Sequence, residues 1–141
     1  MPMMRYVKPG LILLCCLLMG GCATQTAIRE EFEKSMKGYN KLLRWHEVEN
    51  AGMLYIEPEQ RELFMASAET LRKKGVTITD YRILTSEFTP EKNSATVVAE
   101  FDYYIMPSNR IKTLTYKQEW DYREINDKKS WKLKSGLPAF E

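Results

Sequence analysis

The sequence predicts an α+β fold in which two or three N-terminal helices pack on a curved four-stranded antiparallel meander. Between residues 27 and 74, apolar residues recur at intervals of three and four, as they do in amphipathic helices. After Gly75 the interval changes to two, which is typical of strands with one buried face. Turn-forming residues at 90–93, 107–109 and 126–129 divide this second half into four strands.

The helical half contains signals for helix starts and stops. The first helix is predicted from Ala27, and Gly38 interrupts its apolar stripe and predicts a bend. A second short helix extends to about Met53, and a third opens at Pro58, a residue favoured in the first turn. The third helix ends at Gly75, directly after three basic residues. The stripe of the first helix consists of Ile28, Phe32, Met36 or Tyr39, and Leu43.

The strand half alternates between an apolar, aromatic face and a charged face. In the first strand, residues 76–89, the alternation slips near Asp80, which predicts a β-bulge. The charged phase carries Glu100, Asp102, Glu119 and Asp121. One face of such a sheet must be covered, and the apolar sides of the helices can cover it.

The first 21 residues have the three parts of a secretory signal. Arg5 and Lys8 make the start basic, residues 11–19 are apolar, and small residues follow at Gly20 and Gly21. A membrane-spanning helix needs about 20 apolar residues, and this run ends too early. The segment is therefore interpreted as a signal peptide rather than a transmembrane helix.

Residues 18–22, Leu-Met-Gly-Gly-Cys, resemble the lipobox of bacterial lipoproteins, with Met19 in place of the usual aliphatic residue. The resemblance implies cleavage after Gly21, attachment of diacylglycerol to Cys22 and fatty acylation, for example with palmitate, of the new amino terminus. Ala23 stands where Asp would favour retention in the inner membrane, so the resemblance implies an outer-membrane anchor facing the periplasm. The expected organisation is a signal peptide (1–21), a lipidated tether (22–26) and one α+β domain (27–141).

Charge and cysteine content limit the classes of partner. The whole chain has 21 Lys and Arg and 19 Asp and Glu, and two of the bases lie in the leader, so the mature chain is balanced. A balanced chain gives no electrostatic basis for nucleic-acid binding. The three cysteines, Cys15, Cys16 and Cys22, all lie at or before the cleavage point, so no intramolecular disulfide is expected. The bilayer, through acylated Cys22, is the one partner that the leader indicates.

The mature chain also resembles the small NTF2-like lipoproteins of bacteria. The resemblance is carried by residues 39–45 (YNKLLRW), 118–120 (QEW), 131–133 (WKL) and 136–140 (GLPAF). It implies helices on a curved sheet, in a group without an assigned activity. The usual NTF2-like fold has an extra strand pair, for which residues 48–58 leave no clear room, so a cystatin-like arrangement is the alternative.

Few residues suggest catalysis. His46 is the single histidine and serves either as an acid–base group or, more often at a helix end, as a cap or packing residue. One histidine without thiols does not make a zinc site, and no metal or other cofactor is expected. Asp80 is the one acidic residue for which the alternation does not decide which face of the sheet it lies on, and a solvent-exposed position is the simpler interpretation. A non-enzymatic protein is expected; acid–base chemistry in a pocket is the alternative and requires His46, Asp80 and Gln118 to converge.

The inward phase of the sheet gives two interpretations of its aromatic residues. They form either the core, since such rings dominate core burial, or an aromatic-lined cleft for a ligand. Gln118 lies among them and needs a partner if it is buried. The set consists of Tyr103, Tyr116, Gln118, Trp120, Tyr122 and Trp131. We expect an envelope lipoprotein that binds another envelope protein or a small apolar ligand; a purely structural component is a further alternative.

Overall fold

The computed structural model describes the backbone of residues 9–141 and the side chains of residues 24–141. The basic start of the expected leader, with Arg5 and Lys8, lies outside the described residues, and the side chain of Cys22 lies outside the described side chains. The helices are α1 (Pro9–Arg44), α2 (Val48–Tyr55) and α3 (Arg61–Lys74); the strands are β1 (Val76–Thr89), β2 (Ser94–Ile105), β3 (Lys112–Ile125) and β4 (Lys128–Leu133). The strands form one antiparallel sheet in the order β1-β2-β3-β4. The α+β fold, with three helices on a four-stranded meander, is confirmed.

Helix α1 is longer than the sequence pattern indicates. It runs without interruption for 36 residues and includes residues 22–26, where a tether was expected. It also continues through Gly38, because a single helical glycine costs only about 1 kcal/mol relative to alanine and need not end a helix. Gly38 instead allows a close approach, since the Tyr55 hydroxyl of α2 occupies the space that a Cβ would take. Among the described residues, no helix has the length and apolarity that crossing a bilayer requires.

The short helices follow α1 closely. Helix α2 ends at Tyr55, and residues Pro58–Gln60 form a single 3₁₀ turn before α3 begins at Arg61. Helix α3 ends as its sequence predicts: Gly75 adopts the left-handed conformation (φ 74°), and its N–H donates to the Arg72 carbonyl at 3.1 Å. Because α2 occupies residues 48–55, this segment contains no extra strand pair of the NTF2-like kind.

Strand β1 is an edge of the sheet and contains two register shifts. The first lies between Ile78 and Asp80 and confirms the predicted bulge. The second, between Ile83 and Thr85, has no counterpart in the sequence analysis. Such bulges twist an edge strand away from regular pairing and so reduce its tendency to pair with another chain.

The core lies between the inner face of the sheet and the three helices. Trp120 is fully buried and its ring meets that of Tyr39 in α1 at a centroid distance of 5.7 Å. Trp131 in β4 meets Phe32 at 5.0 Å, and Phe140 of the C-terminal segment meets Tyr103 at 4.9 Å. Rings therefore join α1, the sheet and the C-terminal segment into one apolar cluster.

Candidate functional site

The aromatic set from the sequence analysis lies mainly in the closed core. Five of its members, all except Tyr122, have at most 4 % of their surface exposed. Tyr122 is partly exposed and packs on Trp131 with ring centroids 5.3 Å apart. Their burial agrees with the core interpretation, and no open cleft lies between the five residues, which are Tyr103, Tyr116, Gln118, Trp120 and Trp131.

Gln118 has a partner inside that core. Its Nε2 donates to Oδ1 of Asn40 at 2.7 Å, and Asn40 Nδ2 donates back to Gln118 Oε1 at 3.3 Å. Asn40 also donates to the Met36 carbonyl at 2.8 Å, and Trp120 Nε1 donates to Gln118 Oε1 at 3.3 Å. Gln118 therefore ties β3 to the C-terminal part of α1, a contact between residues 78 positions apart in the chain.

A second buried polar contact joins two tyrosines. Tyr116 donates its hydroxyl to the Gly136 carbonyl at 2.7 Å, so the 2.9 Å contact with Tyr39 has the Tyr39 hydroxyl as donor. Burial raises the pKa of both phenols well above the usual value. The two hydroxyls stay protonated at physiological pH and fix α1 against the sheet.

The three residues required by the acid–base alternative have different environments. Gln118 is fully buried against Asn40. Asp80 is exposed on β1, where its Oδ1 accepts the N–H of Tyr81 at 2.8 Å. His46 is exposed at the end of α1. These three side chains do not form a common site, and the part of the chain with described side chains contains no group of three or more metal-ligating side chains.

His46 lies instead at the mouth of a half-open cleft of about 320 Å³, which we call the helix-end cleft. It is bounded by the end of α1, by α2, by the end of α3 and by the start of β1. Apolar side chains form most of its walls, among them Leu43, Val48, Ala68, Leu71, Ile78 and Met106. Its polar groups are those of His46, Glu49, Arg72 and Thr77.

Two sharp chain reversals create this cleft. His46 adopts a positive φ of 64° where α1 turns into α2, and Gly75 does so where α3 turns into β1. His46 Nε2 lies 3.2 Å from the Ile78 carbonyl, and Arg44 donates to the same oxygen at 3.3 Å. These contacts hold the end of α1 against the edge of β1 while the space beside them stays open.

An ion pair crosses the cleft between the two short helices. Arg72 of α3 donates to Glu49 of α2 at 3.1 Å, and the two side chains are 70 % and 46 % exposed. A pair of this exposure contributes little stability, about 0–1 kcal/mol. Its groups remain accessible to a ligand, so the cleft combines apolar walls with a donor and an acceptor at its rim.

The charged face of the sheet holds a separate, internally paired cluster. Arg82 donates to Glu100 at 2.7 Å and to Asp102 at 2.8 Å, and Thr113 donates to Asp102 at 2.7 Å. The hydrogen bond from Arg82, with that from Thr113, lowers the pKa of Asp102 from 3.8 to about 2. Glu100 and Asp102 thus lie on the charged face, as the alternation predicts, and both carboxylates are paired with Arg82.

The sequence analysis did not identify the helix-end cleft. Leu43 and Leu71 belong to apolar helical stripes, which predict core positions. The pattern of one helix cannot show that the ends of α1 and α3 leave a space between them. The signal that was present is the glycine stop at Gly75 together with the small side chain of Ala68 about two turns earlier. Small residues near a chain reversal leave room for a ligand only if nothing else fills it, which depends on tertiary structure.

Comparison with known proteins adds little. No family model and no curated protein matches the chain. Among solved structures, the intermembrane-space region of the chloroplast protein ARC6 is similar to it, with 11 % sequence identity and a TM-score of 0.42. That match covers 72 % of this chain and 92 % of the other.

Proposed function

We propose that this chain is a non-enzymatic lipoprotein of the bacterial envelope that binds a small apolar ligand in its helix-end cleft. The lipobox-like residues 18–22 support the anchor, attached through Cys22 and expected in the outer membrane on the periplasmic side. The helix-end cleft is the single observation on which the proposal of ligand binding rests.

The size and chemistry of the cleft suit a small ligand with one polar end. Ligand sites usually range from about 300 to 1,000 Å³ and have apolar walls with few polar groups. At about 320 Å³ this cleft is near the lower limit. Leu43, Leu71 and Ile78 would contact the apolar part of the ligand, while Glu49 and Arg72 would face its polar end.

A filled-cleft variant tests the ligand proposal. Val76 lines the cleft on β1 and shares the inner face of the strand with Ile78, and we expect Val76→Trp to occupy the space with an indole ring. Thr115→Trp on the exposed face of β3 is the matched control. Binding of an environment-sensitive apolar dye, such as an anilinonaphthalene sulfonate, should fall at least tenfold in the Val76 variant alone. Equal dye binding in both variants would contradict the ligand proposal.

The identity of the ligand is accessible by native mass spectrometry. Detergent-extracted protein should show an intact mass of residues 22–141 plus acyl groups, and a bound ligand should appear as an additional non-covalent mass. That extra mass should be absent from the Val76→Trp variant. A leader-retaining or unlipidated chain would contradict the anchor.

An envelope-protein partner is the second candidate, and a different observation favours it. Met53 and Leu54 on α2 and Leu63 at the start of α3 expose 58 %, 56 % and 66 % of their surface. Exposed apolar side chains on neighbouring helices are common where proteins bind one another. Replacing all three by Ser should abolish crosslinking to that partner and leave dye binding unchanged. The acid–base alternative has less support, since its three groups lie apart.

A further inference from the structure

We infer that two loops of the sheet rest on the lipid head groups and that α1 holds the helix-end cleft away from the bilayer, open to water. These two connections, residues 90–93 and residues 126–129 (the turn before β4 with the first two residues of that strand), are called the sheet tips. The inference rests on the proposed anchor at Cys22. It adds the orientation of the domain and a second contact with the lipid surface.

Residues 24–29 of α1 lie beside both sheet tips. Gln25 and Thr26 lie beside Pro90 of the first tip, and the Arg29 guanidinium lies 5.7 Å from the ring centroid of Phe88 just before it. On the other side, Thr24 lies beside Lys129 of the second tip.

A hydrogen bond strengthens this packing four residues further along α1. Trp131 Nε1 in β4 donates to the Ile28 carbonyl at 3.0 Å, and the Trp131 ring is buried. The helix is therefore fixed to the sheet from its first described side chains onward, and residues 24–26 do not act as a loose tether.

The lipid attachment point is very close to this packed region. Cys22 precedes Thr24 by two residues, and two residues span at most about 7 Å even when fully extended. Acyl chains on Cys22 must enter the bilayer, so the sheet tips beside Thr24 must lie at the level of the head groups. This conclusion does not depend on the backbone conformation of residues 22 and 23.

The chemistry of the sheet tips suits a phospholipid surface. Their side chains are hydrophilic, and the lysines can face lipid phosphates. Near an anionic membrane each such cation contributes about 1 kcal/mol of attraction. The exposed charged residues are Lys92, Lys128 and Lys129 against Glu91 and Asp127, which leaves one net positive charge.

The cleft lies at the C-terminal end of α1, away from residues 24–29. A helix rises about 1.5 Å per residue, so Leu43 in the cleft wall stands about 30 Å from Thr24 along α1. The β2–β3 loop is at this far end too, since the Met106 N–H donates to the Gly75 carbonyl at 3.1 Å. A ligand would therefore reach the cleft from the aqueous space or from another protein, and not directly from the membrane that holds the anchor.

Single-cysteine labelling of the lipidated protein tests this orientation. If Cys15 and Cys16 leave with the leader and Cys22 is blocked by lipid, each introduced cysteine is the single free thiol. Glu91→Cys and Lys128→Cys place a fluorophore on the sheet tips, and Lys73→Cys and Asn109→Cys are matched exposed positions at the far end. The protein is reconstituted in phospholipid vesicles that contain a lipid with a nitroxide on its head group.

We expect the nitroxide to quench the two tip labels several-fold more than the two far labels. A flexible Gly/Ser insertion of about six residues between Ala23 and Thr24 should remove that difference. Equal quenching at all four positions in protein of lipidated mass would contradict the orientation alone. Protein recovered without lipid would contradict the anchor, and the orientation with it.

Discussion

Asn40 and Gln118 place two primary amides in the centre of an apolar core, and their mutual hydrogen bonds decide whether that placement is tolerated. Each buried amide loses its contacts with water, which costs free energy unless protein groups replace them. Here both amides are paired with each other, and Met36 and Trp120 satisfy further positions. The pair fixes one register of α1 against β3, because a shift by one residue would separate the two amides.

Replacing Gln118 by Leu should therefore destabilise the protein more than its similar volume suggests. Oδ1 of Asn40 and Nε1 of Trp120 would lose their partners, and each unsatisfied buried group costs about 1–3 kcal/mol. We expect a decrease in the free energy of unfolding of about 2–4 kcal/mol, measured by urea denaturation. The double variant with Asn40→Leu should lose clearly less than the two single losses added together; strict additivity would count against the pairing.

Asp102 gives the charged face a defined pH dependence. Its pKa is about 2 in the folded protein, below the usual value of 3.8, mainly because Arg82 donates a hydrogen bond to it. A lowered pKa contributes stability that is present above pH 3.8 and is lost as the pH falls toward 2. Asp102→Asn should therefore weaken the dependence of unfolding free energy on pH in that range. Glu87→Gln, at an exposed position of β1, is the control, and an unchanged slope in the Asp102 variant would refute the assignment.

At the level of elements, α1 and α2 approach each other at Gly38. The Tyr55 hydroxyl occupies the position of the missing Cβ, and the next nearest atom, Tyr55 Cζ, would lie 3.1 Å from it. The Tyr55 ring also contacts those of Tyr39 and Trp120 at centroid distances of 6.3 and 6.2 Å. This glycine therefore lets a tyrosine of the short helix reach the core beside α1.

Gly38→Ala should destabilise the protein, although alanine is usually preferred to glycine inside a helix by about 0.5–1 kcal/mol. Displacing Tyr55 is an overpacking effect of about 1–3 kcal/mol, which exceeds that preference. Removing the hydroxyl with Tyr55→Phe should abolish most of the loss, so a double-mutant cycle should give a coupling of about 1 kcal/mol or more. A stabilising Gly38→Ala in the parent protein would show that α2 does not approach as closely as described.

The elements also show what the sequence could predict. The bounds of β1, the bulge at Asp80 and the stop at Gly75 follow from local periodicity and turn chemistry. Both signals depend only on residues that are neighbours in the sequence. The continuation of α1 through residues 22–26 was missed because polar, small residues there resemble a tether. The inward facing of Gln118 was predictable, but its partner Asn40 was not, because no local pattern links residues 78 positions apart.

At the scale of the whole molecule, the two proposals assign different roles to two regions along α1. The region around Thr24 lies at the sheet tips, close to the proposed lipid attachment, and the C-terminal end of α1 lines the helix-end cleft. The cleft could not be predicted from sequence because it is the space left between three helix ends and an edge strand. The anchor is proposed from five consecutive residues, 18–22, and its test concerns where the protein is found in the cell.

Cys22→Ser should abolish lipidation, because a serine hydroxyl cannot form the thioether that holds diacylglycerol. Incorporation of labelled palmitate should be lost, and the protein should disappear from the outer-membrane fraction. Cys15→Ser and Cys16→Ser are matched controls in the same leader, and both should be labelled and localised as the parent is. The domain should unfold at the parent's urea midpoint in all three variants, since its core contains no cysteine. Parental labelling and outer-membrane recovery of the Cys22 variant would show that the anchor is not attached there, and the domain would then have no fixed distance from the bilayer.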